Sequence, residues 1–191
     1  AVADVSGKGM PASLIMATLR TAFRLEAPGA EDPAAFCARL NEFLCGSLRD
    51  TEFVTGVIGV VDRRHRRFRY CNAGHNPPLL LRRGGEVEWL ETGGILLGAF
   101  PDMSYTAAEV ALEEGDLLLL YTDGVTEAMS PAGEEYGEER LTASARARAG
   151  EPPRRLAGAV IGSVRDFVRG PLPDDLTVVV VAGGGGVDPA E

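Results

Sequence analysis

Four aspartates in three stretches are the residues of this 191-residue chain best suited to chemistry. Asp4 closes Ala1-Val2-Ala3-Asp4-Val5, Asp123 follows the apolar run Leu117 to Thr122, and Asp174-Asp175 leads into Leu176 to Val181. A strand holds a carboxylate at its end at a fixed point. Adjacent antiparallel strands would set all three positions at one edge of a sheet. At about 4 Å each carboxylate pair repels by roughly 1 kcal/mol in water, and several-fold more when partly buried. Apart from Lys8, no Lys or Arg cluster lies beside these motifs, so the compensating charge points to hard divalent cations. Mg2+ or Mn2+ suits a few carboxylates with retained waters. Plainer roles stay open: Asp123 also suits the N-cap of a short helix over 124–129, and Asp174-Asp175 after Pro173 also suits a turn.

The elements that must position these acids follow from periodicity. Ala1 to Val5 reads as the end of a strand, Ser6-Gly7-Lys8-Gly9 as a turn, and Pro11 as the first turn of a helix. Leu14, Ile15, Ala17, Leu19, Ala22 and Phe23 mark that helix's apolar stripe. Asp32 caps a second helix that opens on Pro33 and buries Phe36, Leu40, Phe43 and Leu44. Strands then take over: 53–61 with 68–73 as a hairpin, 79–81 with 87–90 as another, and 105–112 with 117–122 as a third. The segment 93–98 reads as a buried loop. Helices return over 136–149 and 153–168, and an apolar strand over 176–181 closes the order. Runs of helices segregated from antiparallel hairpins predict an α+β fold. The continuous apolar strands 117–121 and 176–181 predict sheets covered on both faces. No domain linker interrupts the chain up to 182, and 183–191 reads as a flexible tail.

Composition narrows the function. A net charge of -9 argues against a nucleic-acid or anionic-membrane surface. No apolar run approaches the roughly 20 residues of a membrane span, and no signal peptide is evident. Cys37, Cys45 and Cys71 form no CxxC pair, and they read as reduced core residues of a cytoplasmic protein. Ser6-Gly7-Lys8-Gly9 lacks P-loop spacing, no G-x-G-x-x-G follows the first strand, and Ser6 has no His and Asp in triad order. His65, in an Arg-rich hairpin turn, reads as solvated.

Four motifs in order carry a family resemblance: Asp4-Val5-Ser6-Gly7-Lys8-Gly9-Met10-Pro11-Ala12, Asn72-Ala73-Gly74-His75-Asn76-Pro77-Pro78, Tyr121-Thr122-Asp123-Gly124-Val125-Thr126-Glu127-Ala128 and Asp174-Asp175-Leu176-Thr177. Together they resemble metal-dependent (type 2C, PPM) serine/threonine phosphatases of the bacterial sporulation-E/sigma-B-regulator branch. The resemblance implies an antiparallel β-sandwich flanked by helix pairs and a dinuclear Mg2+ or Mn2+ centre. It implies catalytic roles for Asp4, Asp123 and Asp174. Asp4 would bridge two ions, the Val5 carbonyl would help hold one, and Asp123 and Asp174 would bind the other with Asp175 beside them. A water acidified by the ions would attack phosphorus in line. An earlier strand bearing Gly-Gly-Asp belongs to the family pattern and lies upstream of the motifs present here. His75 stands where eukaryotic relatives place an Asp, so it is either a peripheral site residue or a turn-stabilising one. By the same resemblance, helices 11–49 would be regulatory, and 130–137 would border the substrate. The implied substrate is a phosphorylated anti-sigma-factor antagonist, with dimerisation through helices beside the site. The alternatives are a non-catalytic phosphoprotein-binding module on the same fold, or a phosphoesterase for small molecules.

Overall fold

The computed structural model of the protein describes residues 1–49, 51–172 and 174–184. In chain order the elements are β1 (Val2–Val5), α1 (Met10–Glu26), α2 (Pro33–Cys45), β2 (Val54–Asp62), β3 (Arg67–Ala73), β4 (Leu79–Leu81), β5 (Val87–Trp89), β6 (Gly93–Gly94) and β7 (Ala108–Ala111). They are followed by β8 (Leu117–Tyr121), α3 (Asp123–Thr126), α4 (Gly137–Ala147), α5 (Pro153–Val168) and β9 (Val178–Ala182). The chain folds as two compact units, residues 1–75 with 91–110, and residues 76–90 with those from 111 onward.

The first unit is a sheet of order β1-β2-β3-β6, with β7 also pairing with β3. Helices α1 and α2 supply Ile15, Leu19, Phe36, Leu40 and Leu44 to a core shared with Val54, Ile58 and Cys71. Local chemistry sets the helix starts. Pro lies at the first positions of α1, and Asp32 caps α2 by accepting from the Ala34 N–H at 3.1 Å. The ladder β1–β2 pairs Asp4 with Thr55 and Val5 with Val54.

The second unit is a sheet of order β5-β4-β8-β9. All five residues of β8 are buried. Leu117, Leu119 and Tyr121 meet Leu156, Val160 and Val164 of α5 in one core, joined by Tyr136 and Leu141. That is the helical spacing of i, i+4, i+8 meeting the two-residue spacing of a strand.

The α+β class and the antiparallel pairing stand, with six corrections. Segment 105–112 forms no hairpin with 117–122: β7 joins β3 in the first unit, whereas β8 pairs with β4 and β9 in the second. The strand bearing Asp4 belongs to one sheet, whereas Asp123 follows β8 and Asp174 precedes β9 of the other, so one sheet edge does not hold all three. Gly93 and Gly94 are not loop but a short strand parallel to Asn72 and Ala73; a Cβ at Gly93 would stand 1.7 Å from the Asn72 carbonyl oxygen, so no side chain fits. Strand β9 is an edge, with Val179 at 40% exposure, so its apolar run is not covered on both faces. Leu14 and Phe43 lie outside the core at 64% and 47% exposure. Gly183, assigned to the tail, is held: its N–H donates to the Asp116 carbonyl at 2.8 Å, and its carbonyl accepts from Gly115 at 3.1 Å. Pro173 and 185–191 lie outside the described residues.

Candidate active site

The second unit brings two of the acidic stretches side by side, and Thr122 is the clasp. Its backbone N–H donates to the Thr177 carbonyl at 3.2 Å, extending the β8–β9 pairing by one step. Its hydroxyl donates to the Asp175 carbonyl at 3.1 Å and accepts from the Thr177 N–H at 3.1 Å. With its side chain committed across the chain, Thr122 occupies the N-cap position of α3 without capping it, and Asp123 is the first helical residue. The N-cap reading of Asp123 is thereby corrected, although an acid in a helix's first turn still meets favourable backbone N–H dipoles. Gly124 then packs against the opposing segment: a Cβ there would stand 2.4 Å from the Asp175 carbonyl oxygen and 3.5 Å from the Asp174 Cβ. Asp174 closes a local turn by accepting from the Asp175 N–H at 2.9 Å.

In the first unit, Asp4 is half-buried near the end of β1. The turn after it is tied to β2: Ser6 N–H donates to the Phe53 carbonyl at 3.0 Å, and Phe53 N–H donates to Ser6 Oγ at 2.8 Å. Gly7 and Gly9 take φ of 92° and 78°, the left-handed region that favours glycine. His75 is buried, at 7% exposure, inside the turn it is read as stabilising. Its Nδ1 lies 2.9 Å from Thr55 Oγ1, and Asn72 clamps its backbone through two hydrogen bonds. His65 is exposed and pairs with Asp62 at 2.7 Å, which holds the Asp62 carboxyl below its usual range.

The donors fit a hard cation. Both histidines and all three cysteines lie in the first unit, so the acidic stretches of the second unit can offer only oxygen. Within either unit, no three His, Cys, Asp or Glu side chains among the described residues gather into a metal-holding group. Carboxylates completed by waters and backbone carbonyls are the donor set this chemistry allows. The Tyr121 phenol, beside Thr122, is pushed up by burial and by Glu138 and is neutral at physiological pH. Cys37 is fully buried, and its hydrogen bond with Cys71, together with burial, pushes its thiol up, so neither chemistry nor metal ligation falls to it. Thr55 lies in none of the four motifs, and the partners of Thr122 are set by tertiary contact.

The fold is that of PP2C-type phosphatases. It matches the SiaA-PP2C domain of Pseudomonas aeruginosa with a TM-score of 0.83 at 26% identity, covering 95% of this chain and 74% of that one. The profile of the family described as Stage II sporulation protein E (SpoIIE) matches residues 1–182, and the chain belongs to that family. It is 28% identical over 189 positions to phosphoserine phosphatase RsbU of Bacillus subtilis, covering 95% of this chain and 54% of RsbU. It is 26% identical over 215 positions to protein IcfG of Synechocystis, covering 94% of this chain and 33% of IcfG. The chain thus spans about half the length of one relative and a third of the other.

Proposed function

We propose that this chain is a Mg2+- or Mn2+-dependent phosphatase acting on phosphoserine or phosphothreonine of a regulatory protein of the anti-sigma-factor-antagonist type, in the cytoplasm. The observation that carries this reading is the clasp at Thr122, which seats Asp123 beside Asp174-Asp175 on adjacent segments of a PP2C-type fold. The relative RsbU, named a phosphoserine phosphatase, supports the reaction class. Among the described residues no helix is long and apolar enough to cross a membrane.

In this reading two ions are held. Asp4 with the Val5 carbonyl, and Asp123 and Asp174 with Asp175 as neighbour, would be their ligands. When bound, such ions supply Lewis acidity, lowering the pKa of water and neutralising phosphoryl charge. The chain's own residues do the positioning. Thr122 and Gly124 keep the two acidic segments in contact, and the β1–β2 ladder fixes Asp4. The loop after α3, closed by Ser130 N–H to the Glu134 carbonyl at 2.8 Å and Gly133 N–H to the Ser130 carbonyl at 2.9 Å, presents backbone that borders the substrate. Helices α1 and α2 pack on the sheet that carries Asp4 and are the regulatory element.

Purified protein, Mn2+ and a phosphoserine peptide test this. Hydrolysis should vanish with EDTA and return with Mn2+. Asp123→Asn should cost at least the roughly 10–100-fold that loss of an outer metal partner costs. Full activity in EDTA, or in Asp123→Asn, overturns the mechanism. Phosphopeptide binding with neither Mn2+ uptake nor turnover would identify a binding module instead.

A further inference from the structure

His75 sits in a turn that is locked on every side. Its N–H donates to Asn72 Oδ1 at 2.8 Å, and Asn72 Nδ2 donates to the His75 carbonyl at 2.9 Å. The preceding Gly74 has φ 67°, and a Cβ there would stand 2.7 Å from the Leu96 nitrogen. The turn thus has one conformation, and the imidazole leaves it in one direction, with Nδ1 at 2.9 Å from Thr55 Oγ1. Thr55 in turn stands directly opposite Asp4 in the antiparallel β1–β2 ladder. Opposed residues of such a ladder share a sheet face, with Cβ atoms about 4.5–5.5 Å apart. His75, Thr55 and Asp4 therefore form a line within one unit.

The line has a polarity. A threonine hydroxyl carries one proton, and an ionised carboxylate can only accept. Were Thr55 to donate to His75 Nδ1, it would turn lone pairs toward Asp4 and repel it. With the proton on Nδ1, the imidazole donates to Thr55 Oγ1, and the hydroxyl proton is left to turn toward Asp4 across the ladder. We propose that His75 is a positioning residue for Asp4, acting through the Thr55 hydroxyl, with its proton on Nδ1. One Asp4 oxygen is then oriented by Thr55, and the carboxylate faces its ions in a set rotamer. This inference rests on the reading of Asp4 as a metal ligand.

The test is Mn2+ affinity measured by calorimetry, with melting of the metal-free proteins alongside. Asp4→Asn is the control for the underlying reading and should weaken Mn2+ binding most. Thr55→Val, which keeps shape and removes the hydroxyl, and His75→Gln should each weaken Mn2+ binding about 10-fold or more, the range for partners that orient metal ligands. The double variant should be no weaker than either single one, because both break the same line. Thr55→Ser should bind nearly as wild type. So should His75→Asn, whose amide nitrogen can stand where Nδ1–H stood. In the unmodified protein, 15N NMR should show the His75 Nδ1 protonated. Wild-type affinity in Thr55→Val, His75→Asn as weak as His75→Gln, or an unprotonated Nδ1 overturns the proposal. If Asp4→Asn weakens binding and Thr55→Val does not, this proposal alone fails. If Asp4→Asn binds as wild type, the ligand reading itself fails and takes this one with it.

Discussion

Asp123 shows how a residue's role is set by what its neighbours are doing. As the first helical residue of α3 it has backbone dipoles on its side, and it is freed from capping because Thr122 bonds across the chain to Asp175 and Thr177. Gly124 completes the arrangement by having no side chain. Gly124→Ala would set a Cβ 2.4 Å from the Asp175 carbonyl oxygen and should push that carbonyl away. Displaced backbone and a strained helix start together should lower stability by about 1–3 kcal/mol. Mn2+ affinity should fall as well, since the two acidic segments separate; calorimetry on a folded Gly124→Ala protein checks both. The three acidic motifs are legible in sequence because strand ends and turn residues mark them. Thr55 lies outside every motif, and the partners of Thr122, although it stands within one, are not legible because they lie in another element; 53 residues separate Thr122 from Asp175.

At the scale of elements, Asp116 fastens the turn that leads into β8. This acid is 3% exposed and fully engaged. Arg82 Nη1 donates to Oδ2 at 2.8 Å, Arg83 N–H to Oδ1 at 3.0 Å, and Glu113 N–H to Oδ2 at 3.0 Å. Arg82 also donates to the Ala111 carbonyl at 2.8 Å, so the turn entering β8 is fastened to the end of β4. Asp116→Ala strands these donors and should cost about 2–4 kcal/mol, read by urea unfolding. Helix α1 offers a contrast between faces. Leu19→Ala, at 6% exposure, should cost about 2–5 kcal/mol, whereas Leu14→Ala, at 64%, should stay within about 0.5 kcal/mol. Periodicity located α1 correctly but assigned Leu14 to its buried stripe, because a 3.6-residue pattern fixes which residues share a face and not how wide the covered face is.

For the whole molecule, the proposed ligands Asp4, Asp123 and Asp174 stand in place only when the chain is folded. An ion bound only by the folded protein must then stabilise it. Mn2+ at 100 times its dissociation constant should contribute about 2.7 kcal/mol. For a chain of this size that raises the melting temperature by about 5–10 °C. EDTA should reverse the rise, and Asp123→Asn should diminish it; scanning calorimetry with and without Mn2+ decides. By itself the sequence determined the α+β class, nearly every helix and strand, the reduced cysteines and the four motifs, since these depend on periodicity, caps and turn residues that act within a few positions. Tertiary structure decided what those local signals leave open. It sent β7 to β3 rather than to β8, made a strand of Gly93 and Gly94, and placed Asp4 in one sheet while Asp123 and Asp174 flank strands of the other. Strand partners are selected by burial and by close backbone approach between residues far apart in the chain, and a pattern along the chain carries no record of that choice.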